Sequence, residues 1–123
     1  DVIACSKCRI VFFDYQHLIK RCENACMHHS ILVSNVLQIF SNKTRQLHAR
    51  IETLSQRSIR NKLLNYFYQL AFQNHSDSFE IPFSLNAMAD YLFVDRSAML
   101  REMKKMREDR IIESKGRQVK LLY

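Results

Sequence analysis

One glycine and one proline in 123 residues constrain this chain more than any other feature. Phosphate-cradling loops, hairpin-rich β-folds and collagen-like repeats all need many residues that take positive φ or break ladders. The chain cannot supply them, and its fold class is mainly α with a small β component. Hydrophobic residues make up 47% and charged residues 25%, which suits a packed domain and is too apolar for a disordered one. The formal net charge of +7 favours an anionic partner, nucleic acid first and membrane surface second. No apolar run reaches the length of a bilayer span, and no membrane partner is expected. The first residues lack the order of a secretion signal, and four cysteines in a helical chain with a full core need not be paired. The expectation is an intracellular, cytoplasmic protein with reduced thiols.

Hydrophobic spacing divides the chain into segments. Residues 2–13 are β-branched and aromatic, with Val2, Ala4, Cys8, Ile10 and Phe12 on one parity. They read as one strand or two short ones, which need a sheet that the rest of the chain does not obviously provide. Residues 15–27 read as a short helix and a connector. In 28–54, Val33, Leu37, Phe40, Thr44, Leu47, Ile51 and Leu54 recur at alternating steps of four and three. That is a narrow heptad seam, and its simplest partner is a second copy of the same helix, with an ordinary amphipathic helix as the alternative. Ser55 is a candidate N-cap for the next helix, whose buried stripe is Ile59, Leu63, Tyr66, Phe67 and Leu70. A domain boundary and hinge are expected at 54–56. Residues 74–80 read as a polar loop.

The last third is more specific. Ser84 is positioned to cap a helix whose inner face is Leu85, Met88, Ala89 and Leu92. Phe93 and Val94 turn the chain, and Asp95 is positioned to cap a helix over 96–109 with Met99, Met103 and Met106 inward. Two short strands, 111–114 and 118–122, follow around the lone Gly116. Two helices across a tight turn and then a hairpin make a winged helix-turn-helix. Its second helix offers Arg96, Ser97, Leu100 and Arg101 to base edges: arginine to guanine O6 and N7, serine to a base edge, leucine to a thymine methyl. Ser84, Lys104, Lys105, Lys115 and Arg117 are the candidate phosphate contacts, which position without specifying.

The run IPFSLNAMADYLFVDRSAMLREMKKMREDRIIESKGRQVKLL resembles the DNA-binding domain of the Crp/Fnr family of bacterial transcription regulators. VIACSKCRIVFFDYQHLI resembles the end of that family's cyclic-nucleotide-type β-roll sensor, and 28–54 its dimerisation helix. The resemblance implies three parts: 1–27 as the end of the sensor and connector, 28–54 as the dimer helix, and 55–123 as the winged domain. It implies a homodimer on an inverted-repeat operator, controlled by an effector in an N-terminal domain, and it allows contact with RNA polymerase. Arg96 and Arg101 match the family's two recognition-helix arginines. Ser97 stands where many members carry Glu, and Phe93 where many carry Gly.

Competing readings are weaker on chemical grounds. Cys5, Cys8, Cys22, Cys26, His28 and His29 resemble a metal or redox set on paper. An odd separation on a strand points Cys5 and Cys8 apart, and Cys22 with Cys26 makes only half a site. No metal, no cofactor and no catalytic residue is assigned, because the nucleophile-elbow and P-loop patterns are absent. The alternatives in function are a winged module that binds protein, or a thiol- or metal-based redox sensor.

Overall fold

The computed structural model describes residues 3–12, 14, 16, 20 and 27–122. Two compact units divide the chain, residues 1–44 and 45–123. A long helix, here α1 (Met27–Leu54), contributes to both.

In the first unit, residues 3–12 contain no strand, which corrects the expectation of β-structure there. Ile10 is 70% exposed and Phe12 90% exposed, so this parity does not face a core. The physical reason is the absence, among the described residues, of a neighbouring strand to complete a ladder. Val2, Cys22, Cys26 and most of the expected helix over 15–27 lie outside the described residues. Cys5 and Cys8 are exposed free thiols.

The second unit is built on helices whose starts are fixed by side chains. Helix α2 (Ile59–Asn74) is capped by Ser58, whose hydroxyl accepts from the Asn61 amide at 3.0 Å. The expected cap, Ser55, instead continues the end of α1, with its amide donating to the Ile51 carbonyl at 2.9 Å. Three residues of α2, Leu63, Phe67 and Leu70, sit at helical spacing with Tyr66 and form the wall of the core. Helix α3 (Leu85–Leu92) is capped by Ser84, and α4 (Arg96–Glu108) by Asp95. Met88, Leu92, Met99 and Met106 are fully buried between them. Methionine suits this role because its unbranched chain fills the uneven space between crossing helices.

Three antiparallel strands close the core: β1 (Ser78–Glu80), β2 (Ile112–Lys115) and β3 (Gln118–Leu121), in the order β1-β3-β2. Strand β1 lies inside the segment read from sequence as a polar loop, a second correction. Phe79 is its single inward residue, buried opposite Val119. Strands β2 and β3 pair Lys115 with Gln118 around a turn in which Gly116 takes φ +61°. Gly116 is not the only residue with positive φ. His75, Phe93 and Arg110 also take it, at 50°, 52° and 56°, each at or just beyond a helix end.

The end of α1 is fastened to α2 by a polar junction. Thr53 is fully buried, and its hydroxyl donates to Asn65 Oδ1 at 2.6 Å. The Gln69 amide donates to the same oxygen at 2.7 Å and to the Ala49 carbonyl at 3.0 Å. One turn away, the Arg50 guanidinium lies 4.7 Å from the centre of the Tyr91 ring, a cation–π contact that reaches α3. No described helix is long and apolar enough to cross a membrane.

Candidate nucleic-acid interface

The candidate surface is the side of α4 opposite its methionines. Met99, Met103 and Met106 are buried, and at 3.6 residues per turn this leaves Ser97, Arg101, Lys104 and Lys105 on the outer side. Arg96 is exposed in the first turn. Leu100 lies at the rim: it is half-buried against the core and presents only part of its side chain.

Asp95 sets the start of this helix. Its Oδ1 accepts from the Ala98 amide at 2.8 Å and from the Ser97 hydroxyl at 2.5 Å. The Ser97 hydrogen bond, then the Ala98 amide, holds the Asp95 carboxyl below its ordinary range. With its proton committed to Asp95, Ser97 faces outward as an acceptor, suited to a base amino group rather than to a phosphate oxygen. The sign for stability follows. The carboxylate's contribution is complete above the ordinary carboxyl pKa of about 4 and is lost as pH falls through the depressed folded value. The thermal midpoint is expected to fall on acidification below about pH 4, and to fall less in Asp95→Asn, which caps without titrating. Equal acid sensitivity of the two proteins in a pH series of thermal melts would refute this role.

The other expected contacts divide. Lys104 stands 3.8 Å from Glu108, one turn on, a weak exposed pair that leaves its charge available. Lys115 is exposed on the wing. Arg117, also on the wing, is ion-paired with Glu80 across the sheet, so its charge is partly matched within the fold. The Ser84 hydroxyl accepts from the Ala87 amide at 3.2 Å and keeps its own proton for another acceptor.

Sequence reasoning missed the groups that aim α4. Arg60, at the start of α2, bonds Glu102 through Nε at 2.6 Å and Asp109 through a terminal nitrogen at 2.8 Å. These partners, Glu102 foremost, raise the Arg60 pKa further. The Lys62 ammonium donates to the Leu92 carbonyl at 3.1 Å and closes the end of α3. Each bond joins residues far apart in the chain, and no local pattern marks them. Among the described residues no cluster of three potential metal ligands occurs.

The order of helix, tight turn, helix and hairpin is the arrangement that the model of the Crp-like helix-turn-helix domain matches, over residues 61–123. This chain belongs to that family. Over almost its whole length the chain is also similar to the probable transcriptional regulator flp of Lacticaseibacillus casei, 26% identical over 119 residues. The match takes in 97% of this chain and 51% of the relative, so the chain spans about half the length of that curated protein. Within the Crp-like frame, Arg96 and Arg101 occupy the first two turns of the second helix of the motif.

Proposed function

We infer that this chain is the DNA-binding part of a homodimeric, sequence-specific transcription regulator working in the cytoplasm. Two copies pair along the seam of α1, and each lays the start of α4 in a major groove. The observation that carries the reading is the division of α4 itself: a buried methionine side, and an outer side holding Ser97, Arg101, Lys104 and Lys105 with Arg96 at its start. The family match supports the same reading, as does the relative described as a probable transcriptional regulator. The seam residues of α1 are available for pairing: Leu37, Phe40, Leu47 and Ile51 are each more than half exposed, Thr44 is exposed, and Val33 and Leu54 are half-buried. The operator is an inverted repeat with half-site centres about 34 Å apart, one turn of the duplex. An effector bound in an N-terminal sensor domain controls the activity.

The test uses a duplex enriched from a random pool by the unchanged chain. Arg101→Ala is expected to bind it about 1–3 kcal/mol more weakly and to accept more sequences at one base position. Lys115→Ala is expected to weaken all duplexes alike and to lower the salt slope by about one. Binding that is insensitive to salt, or an Arg101→Ala protein with unchanged affinity and sequence choice, would sink the assignment.

A further inference from the structure

Phe93 carries a ring that the fold itself does not need, at a backbone position that the fold does need. It takes φ 52° at the end of α3, in the left-handed region that penalises every side chain with a Cβ. Its backbone amide caps the helix by donating to the carbonyls of Ala89 and Asp90, a task that glycine performs without strain. The ring is then 72% exposed, so little core burial compensates. His75 and Arg110 share the backbone region, but their side chains are polar and at home in water. Phe72 is 80% exposed, but it sits in relaxed helix.

The setting of the ring indicates what covers it. The Lys62 ammonium is bonded to the carbonyl of Leu92, the residue immediately before. Arg96, three residues on, opens α4. The nearby acids are Asp90, exposed on α3, and Asp95, whose carboxylate is held by Ser97 and Ala98. An exposed aromatic ring in the turn just before α4, with a lysine bonded to the preceding residue's carbonyl and an arginine three residues on, fits the edge of a DNA duplex beside the helix start that enters the groove in the reading above. Its apolar partners there are deoxyribose carbons and thymine 5-methyl groups, while the cations meet flanking phosphates.

We propose that Phe93 is a DNA-contacting residue of the turn, pressing its ring on the sugar or thymine-methyl edge of the operator beside the Arg96 site. The proposal rests on the DNA-binding reading, and its test separates the two. Phe93→Gly, Phe93→Leu and Arg101→Ala are prepared in the full chain. Each is titrated by fluorescence anisotropy against the enriched duplex at several salt concentrations, and each is melted.

Phe93→Gly is expected to bind about tenfold more weakly, as loss of a buried ring predicts, with an unchanged salt slope because no ion is displaced. Its thermal midpoint is expected to rise, because glycine relieves the left-handed strain. Phe93→Leu keeps an apolar side chain and is expected to retain most of the affinity. Stability and affinity moving in opposite directions is the signature. Affinity of Phe93→Gly within about twofold of the unchanged chain overturns the proposal, and if Arg101→Ala still loses affinity, the DNA-binding reading stands without it. A Phe93→Gly protein that loses both midpoint and affinity also overturns it, since the lost binding then follows a lost fold. Failure of the unchanged chain to enrich any duplex removes both.

Discussion

A Phe40→Glu, Leu47→Glu double variant is expected to be monomeric and to bind an inverted-repeat duplex about two to four orders of magnitude more weakly than the unchanged chain. Phe40 and Leu47 stand one heptad apart on the seam and are 66% and 56% exposed, so neither substitution touches the core of the winged domain. In a paired seam each glutamate would be desolvated beside its symmetry mate, and like charges there oppose association. The loss of affinity arises from linkage: two half-sites held by one dimer bind as a single event, and separate monomers must each find a half-site. Binding to an isolated half-site should therefore change little. Sedimentation velocity gives the mass, and anisotropy on whole and half operators gives the affinities. A dimeric mass for the double variant, or full affinity for the whole operator, would refute the seam.

Phe67→Ala is expected to cost about 3–5 kcal/mol of folding stability. The ring is fully buried, 5.9 Å from that of Phe79 on β1 and 6.2 Å from that of Tyr66. It joins α2 to the sheet, and truncation leaves a cavity that the surrounding helices cannot fill without moving. A domain of this size has about 5–15 kcal/mol to lose, so the variant should unfold at a much lower urea concentration. Phe72→Ala, five residues on and exposed, is expected to change stability by no more than about 0.5 kcal/mol. Circular dichroism across a urea titration compares the two. Equal midpoints for them would show that the core is elsewhere.

Periodicity carried most of the winged domain. Met99, Met103 and Met106 recur at helical spacing beneath a polar N-cap, and both features are local, so the helix and its inner face were legible together. Strand β1 was not, because three residues with one apolar position give no measurable alternation, and its pairing with β3 spans about forty residues of chain. The cap of α2 slipped by three residues because Ser55 and Ser58 both satisfy the local rule. The choice between them depends on where α1 stops. Residues 3–12 are β-branched and aromatic but form no strand, because a strand is a property of a pair and no described segment provides the other half. Of the candidate contacts, the exposure of Arg101, Lys104 and Lys105 followed from helix geometry alone, whereas Arg96 shares the angular position of Met103 and is exposed because it stands at the helix start. The engagement of Ser97 by Asp95 and of Arg117 by Glu80 required coordinates, because hydroxyl direction and cross-sheet distance leave no trace in spacing.

The buried Thr53, with Asn65, Gln69 and the Ala49 carbonyl, seals the last turns of the long helix to α2 inside the second unit. Thr53→Val would keep the shape of that seal and remove its shared hydroxyl, leaving the Gln69 amide one acceptor short at a buried site.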